Sequence, residues 1–319
     1  MKFRHTLQIL IDNFSVTYKQ LVYKLVIALI TAGLSVAILY PFWKAMTGLP
    51  EFQSLIESVK TFFGNLIEGN TEGLVNIREK IESALNSISV LIEHNTTVIA
   101  LGIVGLLFIR LINMFFSSLG NYAAAALIND KMALRAQSPF FLTLIRNLKD
   151  ASLYSVMYVP LSFLYDVVCI ALMYLLVFKV LVFAPFLIQV FLFATAIVFA
   201  LTVKLTFASD WLPALIRGKK KPLEAFIYTF SRKNKQTFNV LSNFIVLSLI
   251  IFAVNVCAVI FTFGVGALIT VPASYVLLNC FQLVNYYDRE ELKYFLDKHT
   301  IIKPEKEEVI TREEFFKGE

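Results

Sequence analysis

Two ionisable residues lie deep inside long apolar runs, where an unpaired charge is costly. Arg110 falls within the run 97–128, and Asp166 falls within the run 153–178. With a rise of 1.5 Å per residue, Arg110 would lie about 18 Å from the outer edge of its helix, and Asp166 about 17–20 Å from the inner edge. In an apolar core of about 30 Å these two depths nearly coincide. We therefore expect Arg110 and Asp166 to form an ion pair.

This predicted pair has two interpretations. It could be a structural contact that fixes two membrane helices against each other. It could also belong to a polar site or gate within the bundle, together with Asn113, Gln189 and Asn255. Amide side chains in membrane helices often form hydrogen bonds between helices, so the sequence leaves both interpretations open.

A second group of charges lies in the stretch 214–235, between two apolar runs. Its bases are Arg217, Lys219, Lys220, Lys221, Arg232, Lys233 and Lys235, and its one acid is Glu224. Bases beside a membrane attract anionic lipid headgroups, by about 1 kcal/mol for each Lys or Arg. We expect these seven side chains to contact anionic lipid. The alternative is a topology signal that has no specific ligand.

The composition determines the class of protein around these residues. Hydrophobic residues make up 58% of the chain, charged residues make up 16%, and the mean hydropathy is +0.71. Soluble domains are less apolar and more highly charged. The net charge is +6, but the bases lie beside apolar spans without a recognition fold, which argues against nucleic-acid binding. The sequence therefore predicts an integral membrane protein.

The apolar runs predict an all-α bundle of six transmembrane helices. The expected spans are 21–44, 97–128, 153–178, 182–209, 239–263 and 265–287. The expected segments between and around them are an interfacial helix at 1–20, an extracytoplasmic helical hairpin at 45–96, amphipathic segments at 129–152 and 210–238, and a polar tail at 288–319 that begins as a short helix and then frays. The even number of spans and the basic loops predict a bacterial-type inner (cell) membrane protein with both termini in the cytoplasm.

The two basic segments resemble each other. Phe140, Thr143, Arg146 and Lys149 have the same spacing as Phe226, Thr229, Arg232 and Lys235. This spacing indicates a repeated unit, an interfacial helix followed by a transmembrane hairpin, with residues 1–20 as a candidate third copy. Similar amphipathic helices could also have arisen by convergence.

Enzyme signatures are absent from the sequence. It has no phosphate-binding glycine loop and neither the HExxH nor the GxSxG pattern. The cysteines are Cys169, Cys257 and Cys280, and the histidines are His5, His94 and His299. Their spacing matches no metal site, so we expect neither a metal nor a cofactor.

One part of the chain carries a family resemblance. The matching residues are Leu212-Pro213-Ala214, Pro222-Leu223-Glu224-Ala225-Phe226, Ser231, Lys233, Gly264-Val265-Gly266, Pro272 and Tyr286-Tyr287-Asp288. Through them, 213–288 resembles a loose group of uncharacterised bacterial multi-spanning proteins, which includes the membrane domain that precedes some glycerophosphodiester phosphodiesterases. The resemblance implies a membrane bundle. It implies no hydrolase activity, because the phosphodiesterase catalytic domain has no counterpart here.

Three functions are compatible with these features. The first is a non-enzymatic component that transports or handles a lipid or small amphiphile through a polar cavity around Arg110 and Asp166. The second is a scaffold or accessory subunit that binds a protein partner through 51–93, a part of the hairpin with two apolar stripes. The third is an intramembrane enzyme, which would need a second titratable group within hydrogen-bond reach of Asp166.

Overall fold

The structure, a computed structural model, covers most of the apolar part of the chain. It describes residues 2–47, 96–135, 138–176, 186–231, 237–297, 299–304 and 308–311, together with 53, 56–57, 60–61, 64 and 179. Most of the predicted hairpin at 45–96, including the candidate partner surface at 51–93, lies outside the described residues.

The described chain is almost entirely helical. Its helices are α1 Lys2–Asp12, α2 Phe14–Thr47, α3 Thr96–Met132, α4 Phe140–Arg146, α5 Leu148–Leu175, α6 Phe186–Ala208, α7 Trp211–Ile216, α8 Pro222–Ser231, α9 Thr237–Phe261 and α10 Ala267–Arg289. Six segments are long and apolar enough to cross a membrane: Phe14–Pro41, Ala100–Met132, Leu148–Leu175, Phe191–Ile216, Phe238–Phe261 and Ala267–Arg289. The predicted all-α, six-span architecture is therefore confirmed.

The chain divides into two compact units. One consists of Met1–Ile27 and Met114–Glu319, and the other is Ala28–Asn113. The first unit contains spans three to six, together with the polar ends of α2 and α3, and all the sites described below lie within it. The second unit contains Arg110, whose side chain is exposed.

The buried core of the first unit centres on α10. In α10, 50% of an 18-residue apolar stretch is buried, whereas the corresponding stretches of the other five spans are 11–17% buried. The alanines at 123–125 of α3 are at most 1% exposed, and their small side chains allow neighbouring helices to approach closely. Elsewhere the spans expose large apolar side chains, such as Ile170 (69%) and Phe261 (80%), as expected of a surface that faces lipid.

Helices α1, α4 and α8 share one local feature, and each directly precedes a span. Each contains the pattern Phe-x-x-Thr, with a threonine that is at most 1% exposed. The threonine hydroxyl donates a hydrogen bond to the carbonyl four residues earlier: Thr6 to Lys2 at 2.8 Å, Thr143 to Pro139 at 3.1 Å and Thr229 to Ala225 at 2.8 Å. The same bond occurs at Thr202 and Thr206 of α6, outside the proposed copies, so the repeat stays a prediction.

The end of the chain differs from the predicted fraying tail. Strands β1 Tyr294–Phe295, β2 Thr300–Lys303 and β3 Glu308–Thr311 form an antiparallel sheet in that order. Gln8 of α1 donates a hydrogen bond to Asp297 at 3.0 Å, and β2 buries Ile301 and Ile302. The prediction relied on the polar composition of the tail. It overlooked the β-branched residues of β2 and β3, which favour strands once their apolar faces are buried.

Candidate functional site

A basic cleft of about 880 Å³ opens in the first unit, where the two basic segments, 129–152 and 210–238, meet. Its walls come from the end of α3, the junction of α4 and α5, and the turn between α7 and α8. Among the described residues, its bases are Arg135, Arg146, Lys149, Lys219, Lys220 and Lys221, and its acids are Asp130 and Asp150. Six bases against two acids create a positive potential that attracts anions.

The turn between α7 and α8 directs three of these bases into the cleft. An added Cβ at Gly218 would lie 2.6 Å from the carbonyl oxygen of Ala214 and 2.8 Å from the hydroxyl of Tyr286, so only glycine fits there. Lys219 then adopts a positive φ of 50°, which is uncommon for a residue with a side chain. The amide of Lys220 closes the turn by donating to the Ala214 carbonyl at 3.3 Å. These contacts fix the backbone that presents the lysines.

The opposite wall of the cleft is held by α3 and α4. Arg146 Nη2 lies 3.4 Å from Asp130 Oδ2, and this pair joins the two helices. Asp130 is only 7% exposed, so its charge is largely matched by Arg146 rather than offered to a ligand. The positive excess of the cleft therefore comes mainly from its other bases.

The predicted lipid-contacting bases divide into three groups. Lys219, Lys220 and Lys221 line the cleft. The guanidinium carbon of Arg217 lies 5.3 Å from the centre of the Tyr287 ring, so this side chain packs against the core. Arg232, Lys233 and Lys235 fall outside the described residues.

Three bases of the cleft were missing from the predicted site. Arg135, Arg146 and Lys149 belong to the first basic segment, whose charges were interpreted only as a topology signal and as part of a repeat. A signal for two of them did exist, because Arg146 and Lys149 are the repeat counterparts of Arg232 and Lys235, which were predicted to bind lipid.

A buried ion pair supports the wall formed by α7. Arg289 Nη1 lies 2.5 Å from Asp210 Oδ2, and the two side chains are 17% and 4% exposed. This pair connects the start of α7 to the end of α10. Tyr228 of α8 donates a hydrogen bond to Glu290, the residue that follows α10. These two contacts therefore hold α7 and α8, which form one wall of the cleft, against the end of α10.

A second cavity, which we call the aromatic groove, lies among α5, α6, α7 and α8. It has a volume of about 360 Å³ and an almost wholly apolar lining of Tyr158, Leu161, Ser162, Tyr165, Lys204, Phe207, Ala208, Trp211 and Phe226. The rings of Trp211 and Phe226 are 4.8 Å apart between centroids, and those of Tyr158 and Trp211 are 6.0 Å apart. These ring contacts form one end of the groove.

Within the first unit, Asp166 has an ion-pair partner that was not predicted. Lys204 Nζ lies 2.6 Å from Asp166 Oδ1. The predicted pair of Asp166 with Arg110 stays a prediction, because Arg110 belongs to the other unit. The two residues come from α5 and α6, consecutive helices whose alignment is also set by a 2.6 Å hydrogen bond from Tyr165 to the Ala200 carbonyl. The prediction compared depths along straight helices and assigned Lys204 to the membrane surface, and so overlooked the base on the next helix.

Among the polar residues predicted around Asp166, Asn255 forms hydrogen bonds between two helices. Asn255 donates to Ser274 at 2.9 Å and accepts from Thr270 at 2.9 Å, so it joins α9 to α10. Asn113 and Gln189 are half-buried, on α3 and α6 respectively. Asn255 therefore has the structural role that amides commonly have between membrane helices.

Among the described residues, no three His, Cys, Asp or Glu side chains form a group that could hold a metal ion. Comparison of the chain with family models, curated proteins and solved structures found no match. The resemblance of 213–288 to bacterial multi-spanning proteins stays a prediction.

Proposed function

We propose that this polytopic membrane protein binds the phosphate headgroup of an anionic lipid in the basic cleft, as a non-enzymatic component that transports or handles a lipid or a similar small amphiphile. The observation that carries the proposal is the convergence of two separate basic segments on one cavity, with six bases against two acids. Lysine and arginine side chains donate charge-assisted hydrogen bonds to phosphate oxygens, which are stronger than neutral ones.

The position of the cleft supports a lipid as the ligand. Its walls include the end of α3 and the start of α5, and both helices are candidate membrane spans. The ends of membrane spans lie at the level of the lipid headgroups. By the preference of basic loops for the inner side, we infer that this end faces the cytoplasm of a bacterial-type cell membrane.

The two other functions have less support. Lys204 meets the requirement for a second titratable group beside Asp166, but the two already neutralise each other in a direct ion pair. That arrangement favours a structural contact over an intramembrane enzyme. The scaffold function depends on 51–93, most of which lies outside the described residues.

Lipid binding to a charge-reduced cleft tests the proposal. We would measure the affinity of the full-length protein, in an uncharged detergent, for phosphatidylglycerol and for phosphatidylcholine with the same chains. The variant Lys219→Ala/Lys221→Ala removes two exposed bases from the cleft. At about 1 kcal/mol per base, it should bind the anionic lipid about 30-fold more weakly.

A matched variant distinguishes the effect of the cleft lysines from the effect of losing surface charge in general. Lys44→Ala/Lys60→Ala also removes two exposed lysines, but from the second unit. It should bind the anionic lipid as the unaltered protein does. Equal losses in the two variants, or equal affinity of the unaltered protein for both lipids, would contradict the proposal.

A further inference from the structure

The basic cleft and the aromatic groove share three of the elements that line them. Helix α5 contributes Leu153 to the cleft and Tyr158 to the groove. Helix α7 contributes Leu215 to the cleft and Trp211 to the groove. The third element, α8, contributes Pro222 to the cleft and Phe226 to the groove, so each element lines both cavities.

On each element the two lining residues are four or five positions apart. At 1.5 Å per residue this spacing is about 6–7.5 Å along a helix, so the cavities are neighbours separated by roughly one helical turn. On α5, the groove residue lies further into the span than the cleft residue. The groove is therefore on the membrane side of the cleft.

A polar contact lies in the wall between the two cavities. Trp211 Nε1 donates a hydrogen bond to the carbonyl oxygen of Pro222 at 3.3 Å, which joins a groove residue to a cleft residue. Trp211 is only 3% exposed. A ligand that occupied both cavities would cross beside this contact, with its polar part on the Pro222 side and its apolar part on the Trp211 side.

The lining of the groove indicates which part of a ligand it would hold. Lys204 is its one charged residue, and Lys204 is already paired with Asp166 at 2.6 Å. The remaining side chains are aromatic, aliphatic or small, and three of them carry a hydroxyl group: Tyr158, Ser162 and Tyr165. This environment suits a hydrocarbon chain and would leave a second charged group without partners.

We infer that the ligand is an anionic phospholipid held at two points, with its phosphate in the basic cleft and one acyl chain in the aromatic groove. The assignment rests on the proposed function and adds the position of the chain. Charge complementarity places the phosphate in the cleft. The aromatic groove lies on the membrane side of the cleft, about one helical turn away. It can therefore receive an acyl chain that is joined to the phosphate through glycerol.

The experiment compares ligands that share a headgroup and differ in their chain. The probes are glycerol 3-phosphate, which has no chain, and lysophosphatidic acids of increasing chain length, each titrated against the full-length protein in uncharged detergent. If the groove holds the chain, affinity should rise by about two- to fourfold for each added methylene until the groove is filled. The variant Ala208→Phe, which places a ring in the groove, should flatten this rise and leave glycerol 3-phosphate binding unchanged.

A control and a second measurement keep the result interpretable. Ala171→Phe adds the same ring at an exposed position of α5 outside the groove and should preserve the dependence on chain length. A photoreactive group at the chain end of lysophosphatidic acid should crosslink within Tyr158–Tyr165 or Lys204–Trp211 of the unaltered protein. This measurement does not depend on whether Ala208→Phe folds.

The outcomes distinguish the two proposals. If Lys219→Ala/Lys221→Ala leaves the binding of every probe unchanged, the proposed headgroup site is wrong. If that variant weakens binding while Ala208→Phe and Ala171→Phe show the same chain-length dependence, the headgroup site stands and the chain assignment is overturned. Crosslinks confined to residues outside the groove would overturn the chain assignment as well.

Discussion

Two ion pairs of the first unit each join neighbouring helices, and their surroundings differ. Asp210 and Arg289 are 4% and 17% exposed and lie beside the buried Trp211. Asp166 and Lys204 are 31% and 19% exposed, and Lys204 lines the open aromatic groove. The first pair lies at the closely packed end of the unit, and the second lies between helices with sparse packing.

The difference separates the fixed part of the candidate site from the accessible part. A largely buried pair cannot lose one partner without leaving a charge mostly away from water. A lysine at the edge of a groove that loses its partner can reorient, because its long side chain can place the ammonium group near the lipid headgroups. We therefore expect the Asp210–Arg289 pair to determine stability and the Asp166–Lys204 pair to shape the groove.

Removal of Asp210 should give the largest effect. Asp210→Ala removes the closer carboxylate of Arg289 and leaves Glu290, whose Oε1 lies 3.8 Å from Arg289 Nε. Breaking a buried pair typically costs about 3–5 kcal/mol of folding free energy. The measurement is the midpoint of thermal unfolding in detergent, followed by size-exclusion chromatography. Asp150→Ala removes an exposed acid from the same end and should cause little change. Similar losses from the two substitutions would show that the buried pair has no special role.

Removal of Asp166 should give an intermediate effect. Asp166→Ala leaves Lys204 without its partner in an apolar span, but the lysine can partly reorient, so we expect a cost of about 1–2 kcal/mol. Asp166→Ala/Lys204→Met removes both charges and should recover most of the loss in the same unfolding assay. Asp166→Ala/Arg110→Ala should recover none of it, because the partner is Lys204. Recovery with the Arg110 substitution would instead support the pair predicted from sequence.

Sequence patterns predicted the spans well, because each span is a long apolar run and needs no knowledge of its neighbours. The partner of Asp166 depends on which helices are adjacent and how they are aligned. The depth of a residue in the membrane, calculated from its position along a straight helix, does not show which helices are adjacent or how they are aligned. The short connection between α5 and α6 was a better guide, since helices joined in this way usually pack side by side.

The basic cleft was predicted in part. Lys219, Lys220 and Lys221 form a visible cluster in the sequence, whereas Arg135 and Lys149 are scattered bases that only the fold brings near it. The aromatic groove was not predicted. Its lining residues come from four helices, and no single stretch of sequence shows a pattern that would distinguish them from ordinary lipid-facing residues.

The smallest expected effect concerns a hydrogen bond that holds α1 to the end of the chain. His5 Nδ1 lies 2.9 Å from the Tyr294 hydroxyl, which donates to Asp288 at 3.2 Å. Burial lowers the pKa of His5 below its ordinary value of 6.5; Asp288 opposes this shift, and Arg4 and the N-terminal amine add to it. The unfolded state therefore binds the proton more readily than the folded state does.

The stability of this contact should consequently be complete above about pH 6.5 and decline as the pH falls through the lowered pKa of His5. Hydrogen exchange of the α1 amides should accelerate between about pH 7.5 and about pH 5.5 after correction for the intrinsic rate. His5→Gln keeps a polar group at this position and cannot take up the proton, so the acceleration should disappear. His299→Gln alters an exposed histidine, leaves His5 in place and should retain the acceleration. If both variants retain it, the titrating group is not His5, and the docking of α1 on the closely packed end depends on another contact.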